Sequence, residues 1–172
     1  VLYLRILHIT LFKIPVGTQK MKAKVIISNR VEKENRKVFD SLKDIAEVSF
    51  SSFPKTEEFF KELANADALL VNLEPVNEDL LKHAPKLKVV ARYGVGYDTV
   101  DVEACTKRRI YATHTPGVLS QAVAEFAIGL VICVSKKIVA ADQYVRKEWA
   151  KPDSTFPIGV DLFGKTLGLV GL

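Results

Sequence analysis

The chain has 172 residues, 48% apolar and 26% charged, which suits one folded domain or one and a half and excludes collagen-like, disordered and coiled-coil classes. Its two cysteines, Cys105 and Cys133, cannot build a disulfide scaffold and have no metal-ligand spacing; they suit a reducing compartment, so a cytoplasmic location and no metal are expected. The net charge of +5 would invite a polyanion, but Arg5, Lys13 and Lys20 stand in the first twenty residues without an acid, leaving 22 bases against 20 acids over residues 21–172, and no nucleic-acid partner is expected.

Residues 1–20 (VLYLRILHITLFKIPVGTQK) are apolar but interrupted by Arg5, His8 and Lys13. A signal peptide carries its bases before the apolar stretch, and a membrane span needs about 20 nearly uncharged residues, so neither fits. Met21, the sole methionine, directly precedes a strand-like run. Residues 1–20 are therefore read as a doubtful N-terminal extension, with an amphipathic anchor or an extra edge strand as alternatives.

From residue 22 the pattern alternates. Strand-like runs stand at 24–28 (KVIIS), 47–50 (EVSF), 68–72 (ALLVN), 88–92 (KVVAR) and 110–113 (IYAT), with starts 23, 21, 20 and 22 residues apart. Amphipathic stretches lie between them. Val38, Phe39, Leu42 and Ile45 share a face in the first. Thr56 with Glu57 and Glu58, and Asn77 with Glu78 and Asp79, read as N-caps with acids favouring the helix dipole. Regular β-α alternation predicts an α/β domain, a doubly wound parallel sheet with helices on both faces, over residues 21–115.

Residues 118–134 are almost wholly apolar, with Ser120, Gln121 and Glu125 as exceptions; the uninterrupted part, 126–134, is too short to span a membrane. A helix apolar on every side must be covered on every side, so it is placed between domains or subunits. A polar stretch, 142–157, follows, and residues 165–172 (KTLGLVGL) read as another buried strand.

Ligands of a doubly wound sheet sit at the carboxyl ends of its strands. A phospho-acceptor signalling domain would need acids after the first strand, an Asp ending the third and a Lys ending the fifth; Asn29-Arg30, Asn72 and His114 stand there instead. A flavin-mononucleotide carrier would need a Ser/Thr/Gly loop where SNRVEKEN stands. The fourth strand runs into Arg92-Tyr93-Gly94-Val95-Gly96-Tyr97-Asp98. Two glycines flanking Val95 allow a tight turn with exposed N–H groups, and Asp98 is read as the cap of a helix with Asp101 in its first turn. Exposed N–H groups beside a helix start suit a carboxylate. Alone, such a turn is equally well a plain strand–turn–helix connection.

Three segments in order, RYGVGYDTVDVEAC, IYATHTPGVLSQAVAEFAIGL and GKTLGLVGL, closely resemble the family of D-isomer-specific 2-hydroxyacid dehydrogenases, over residues 22–172. The resemblance is nearest the glyoxylate/hydroxypyruvate reductase and D-3-phosphoglycerate dehydrogenase branches. It implies a flavodoxin-like substrate domain followed by a Rossmann domain that binds NAD or NADP, with the active site between them. It implies that the Val95 and Gly96 N–H groups, beside Gly94, hold the substrate carboxylate, that Leu73 and Glu74 face the cleft, and that Val95 and Ser120 approach the cofactor. Residues 116–172 would hold the crossover, a dimerisation helix over 118–139 and the first strand of an incomplete cofactor domain, with Gly171 the first glycine of its GxGxxG turn. The family's catalytic Arg, Glu and His have no counterpart in these residues. The expectation is an NAD(P)-dependent oxidoreductase acting on a small 2-oxo or 2-hydroxy acid, of which the 172 residues match the first part and are inactive alone. The alternative is an NAD(H)-sensing regulatory module like the family's co-repressor branch.

Other residues have structural readings. His114 does not match the family's catalytic His and is given a structural or loop role. His83 stands at a helix end, where positive charge is favourable, and Cys133 reads as a small buried residue. Trp149 is expected to pack the crossover onto a domain. Lys136-Lys137 and Arg146-Lys147 read as solvated, and Lys107-Arg108-Arg109 as the end of a helix.

Overall fold

The structure, a computed structural model, describes residues 22–151 and 154–170. The expectations for residues 1–20 and for Gly171 lie outside the described residues. The chain forms two compact units, the first ending at Val118 and the second beginning at Leu119.

The first unit is a five-stranded parallel sheet in the order β2-β1-β3-β4-β5. Its elements are β1 (Ala23–Ser28), α1 (Asn29–Asp40), β2 (Ala46–Ser51), α2 (Glu57–Leu63), β3 (Ala68–Val71), α3 (Glu78–Leu81), β4 (Val89–Arg92), α4 (Val102–Lys107) and β5 (Tyr111–Thr113). This is the flavodoxin-like, doubly wound α/β architecture. Side chains alternate across each strand and feed two cores. Ile26, Leu69, Val71 and Val90 pack with Phe59 and Leu63 of α2, Leu81 of α3 and Cys105 of α4. Val25, Ile27, Ala68, Leu70 and Ala91 pack with Val31 and Phe39 of α1. Because β1 and β3 are apolar at every central position, both faces are filled; each fully buried Val, Ile or Leu contributes about 1.5–3 kcal/mol.

The strand ends fall within one residue of the expected bounds because β-branched runs flanked by polar turns leave little freedom in register. Thr56 and Asn77 cap as expected, accepting from Phe59 N at 3.3 Å and Leu80 N at 3.1 Å. Two helices differ from expectation. α1 starts at Asn29, capped by Ser28, whose Oγ accepts from Arg30 N at 3.2 Å; Leu42 and Ile45 follow it in a turn. α4 is capped by Asp101, which accepts from Ala104 N at 2.8 Å, and not by Asp98. The cause is tertiary: Val76 pairs with Val100, donating to Thr99 O and accepting from Asp101 N at 2.8 Å each, so residues up to Val100 are held outside the helix.

The second unit contains α5 (Ser120–Ser135) and α6 (Ile138–Lys147). The single helix expected over 118–139 is therefore broken: a left-handed Lys137, φ 51°, joins the two, and Val160 N returns to Ser135 O at 2.7 Å. Gly159 lies so close to Ser135 and Lys136 that a Cβ there would overlap their backbone. α6 replaces the start of the stretch expected to be merely polar: Tyr144 on it gathers Trp149 and Phe156 edge-on, at 6.2 and 5.3 Å, and its hydroxyl meets Ser154 Oγ at 2.9 Å. The strand expected from residue 165 onward is absent among the described residues, where 165–170 are exposed coil. A β-strand exists only by pairing, and no described segment pairs with it.

Candidate functional site

The fold directs attention to the carboxyl ends of β1, β3, β4 and β5, since the chain leaves β1 toward β2 and returns past it to β3, the switch point at which such sheets bind ligands. The ends of β3 and β4 are joined by Tyr93 N donating to Val71 O at 2.7 Å.

Beyond β4 the chain makes the turn expected from its glycines. Gly94 has φ 145°, outside the range that side chains tolerate. Arg92 folds back over the turn; its guanidinium donates to Tyr93 O and occupies the space a Cβ on Gly94 would need. Arg92 Nε is buried without a partner among the described residues. Val95 and Gly96 are exposed, and among the described residues neither N–H has a partner. Two carbonyls of the turn are held by the exit of β5: Thr115 N donates to Gly94 O at 3.0 Å, and His114 Nδ1 meets Val95 O at 2.7 Å. The Tyr97 ring stands edge-on to the imidazole, 5.0 Å between centroids. Asp98 Oδ2 lies on the Cβ side of Gly96. With α4 already capped by Asp101, the outward donors belong to the turn itself and not to a helix start.

Leu73, just past β3, is 52% exposed and Val95 is 41% exposed, so both present alkyl surface at the same end of the sheet. Glu74 does the opposite. It is 8% exposed and turned inward, where Oε1 accepts from Ser28 Oγ at 2.7 Å and Oε2 from Asn72 N at 2.7 Å. Arg30 Nε stands 3.7 Å from Oε1. Burial pulls the Glu74 pKa up, but the Ser28 hydroxyl, the N–H groups of Asn72 and of Glu74 itself, and the Arg30 charge outweigh it and hold the carboxyl below its usual value. Glu74 thus ties the end of β1 to the end of β3 as an anion. Ser28 was not singled out from sequence, and Arg30 and Asn72 were noted only as departures from a phospho-acceptor pattern; the one signal was a serine ending a strand just before a helix.

Ser120 opens α5 in the second unit and is exposed. A dinucleotide pyrophosphate needs a glycine-rich turn leading into a helix N-terminus. Among the described residues none exists: Gly164 and Gly168 stand in coil, and the turn at Gly94–Gly96 leads to a six-residue helix whose cap is filled. The described residues do not by themselves fit such a cofactor. Nor do they place a histidine within ion-pair distance of a carboxylate, or hold a group of three or more metal-ligating side chains or a helix long and apolar enough to cross a membrane. A concavity of about 410 Å³ beside α3 and α4 has most of its charges matched, Arg108 with Glu78 at 2.6 Å and Lys107 with Glu103 at 2.8 Å, while Asp101 is engaged in capping α4.

Residues 25–165 match the model of the D-isomer specific 2-hydroxyacid dehydrogenase catalytic domain. The chain is 47% identical over 122 residues to the glyoxylate reductase of Thermofilum pendens, covering 69% of this chain and 36% of that protein. To the glyoxylate reductase of Thermococcus litoralis it is 39% identical over 157 residues, covering 88% of this chain and 47% of that protein. It thus spans half or less of the length of these relatives. Among solved structures, the NADPH-dependent glyoxylate/hydroxypyruvate reductase of Sinorhizobium meliloti, in complex with NADP and malonate, superposes with a TM-score of 0.69 at 26% identity, covering 85% of this chain and 45% of that one. The matched residues 25–165 take in the sheet, the β4 turn and the β5 exit, and the chain belongs to the D-isomer specific 2-hydroxyacid dehydrogenase family.

Proposed function

We propose that the protein is an oxidoreductase that moves a hydride between NAD or NADP and a small 2-oxo or 2-hydroxy acid, and that its first unit supplies the carboxylate grip. The observation that carries this is the pair of N–H groups of the exposed Val95 and Gly96 at the carboxyl end of β4, without a partner among the described residues, in a chain of this family. Two adjacent amide donors match the two oxygens of a carboxylate, and charge-assisted bonds of this kind are about twice as strong as neutral ones. Exposed Leu73 and Val95 offer apolar contact to a short carbon chain. Glu74 positions the β3 end from beneath and does not touch the acid. Two curated relatives are named glyoxylate reductases, which supports glyoxylate as a substrate. Residues 118–139 are read as a homodimer face: α5 is apolar on nearly every side, yet none of its residues is buried within the chain.

Glycolate titrated into the ¹⁵N-labelled chain should shift the Val95 and Gly96 amides first and most; amides that stay in place would remove the proposed grip. The same chain mixed with NADH or NADPH and glyoxylate or hydroxypyruvate should show no turnover, because its described residues hold neither a dinucleotide cradle nor a paired histidine. Turnover above background would refute that second statement.

A further inference from the structure

We infer that His114 is a positioning residue for the carboxylate grip, setting the direction and donor strength of the Gly96 N–H through the opposite edge of the same peptide group. The inference rests on the reading of Val95 and Gly96 just given. A trans peptide is planar, with its C=O and N–H on opposite edges. Gly94 O and Val95 N–H belong to one such plane, Val95 O and Gly96 N–H to the next. Both carbonyls are held from the same side by consecutive residues, the first by Thr115 N at 3.0 Å and the second by His114 Nδ1 at 2.7 Å. Both N–H groups are thereby turned away from the β5 exit, where they have no partner among the described residues.

A carbonyl oxygen can only accept, so Nδ1 carries the proton, either in the neutral Nδ1–H tautomer or in the imidazolium. A donor on the carbonyl draws electron density through the amide and makes its N–H a better donor in turn, the cooperativity of chained hydrogen bonds. Tyr97 steadies the ring edge-on, 5.0 Å between centroids. The two clamps differ in kind. Thr115 acts through its backbone, which any residue but proline supplies. The second clamp exists only because residue 114 has a side chain with a donor two bonds beyond Cβ.

The test uses the ¹⁵N-labelled 172-residue chain with glycolate as probe. In the unsubstituted chain the ¹⁵N shift of His114 Nδ1 should mark it as protonated at neutral pH; a bare Nδ1 overturns the inference without any variant. His114→Leu should move the Gly96 amide proton upfield, move Val95 less, and weaken glycolate by about three- to tenfold, the worth of one net hydrogen bond. His114→Asn, whose Nδ2–H falls where Nδ1–H stood, should recover most of both effects, as a loss of packing alone would not. A Gly96 amide unmoved in a folded His114→Leu chain, or left unrescued by His114→Asn, overturns the inference. If glycolate moves neither amide in the unsubstituted chain, the carboxylate reading fails, while the Gly96 response to His114→Leu still decides whether His114 sets that peptide.

Discussion

Glu74→Ala should cost the first unit about 3 kcal/mol. The carboxylate accepts from Ser28 Oγ and Asn72 N at 2.7 Å each, and Ser28 is fully buried. Removing the acceptor strands one buried hydroxyl and one half-buried amide. Each stranded donor costs about 1–3 kcal/mol, so the two cost about 2–6 kcal/mol, and water reaching Asn72 brings the sum into the lower half of that range. Glu74→Gln keeps one carbonyl acceptor and should cost about 1 kcal/mol. Urea unfolding followed by far-UV circular dichroism reads both as a lower midpoint at unchanged slope. The geometry makes a stricter demand. With Ser28→Ala already in place there is no hydroxyl to strand, so Glu74→Ala should then cost at least about 1 kcal/mol less than it does alone. Acid adds a sign. The folded carboxyl lies below its ordinary value of 4.5, so its contribution is complete above that pH and is lost as pH falls through the lower folded value. The gap between the unsubstituted chain and Glu74→Gln should close on acidification and not on alkalinisation. A Glu74→Ala cost under about 0.5 kcal/mol, additive with Ser28→Ala, would refute the buried tie.

Asp67 accepts from Lys24 N at 3.0 Å and from Lys88 Nζ at 2.7 Å, bridging β1 to the start of β4. Burial raises its pKa less than Lys88 and Lys24 lower it, so Asp67→Ala should cost about 1–2 kcal/mol in urea at neutral pH and progressively less as pH falls below 3.8. Gly94→Ala forces a side chain onto φ 145° and into the Arg92 guanidinium; thermal unfolding should show about 1–3 kcal/mol lost, and glycolate binding should weaken. Phe126→Asp places a charge on the apolar surface of α5, where Phe126 is 68% exposed, and should turn a self-associating chain into a monomer in sedimentation equilibrium; an unsubstituted chain that is already monomeric would count against the homodimer face.

The sheet was legible because its signal is redundant. Five β-branched runs at near-constant spacing, with caps at Thr56 and Asn77, admit few topologies. The β4 turn was legible because two glycines around Val95 serve no purpose in a strand. The cap of α4 was not: Asp98 and Asp101 are both competent, and the choice is made by the Val76–Val100 pairing, a contact between residues 24 apart in sequence. α6 was hidden because Asp142, Gln143, Arg146 and Lys147 make its sequence read as polar, while Tyr144 packs on residues of the following loop. The residue 165–170 segment shows the converse, an apolar run that forms no strand without a neighbour. Glu74 was visible as a residue at a strand end, but its inward turn was not, since that depends on Ser28 lying across the switch point.

These details separate two jobs at one end of the sheet. The switch point between β1 and β3, where ligands of such folds commonly sit, is closed by the Glu74 carboxylate and its donors. The open donors stand one and two strands away, between β4 and β5, and are oriented through carbonyls that His114 and Thr115 hold. An anion locked at the first place would repel a second carboxylate there, whereas unpaired N–H groups at the other attract one. Damage to the first should therefore lower stability while leaving glycolate affinity near its original value in the molecules that remain folded. Damage to His114, a half-buried side chain outside both cores, should do the reverse.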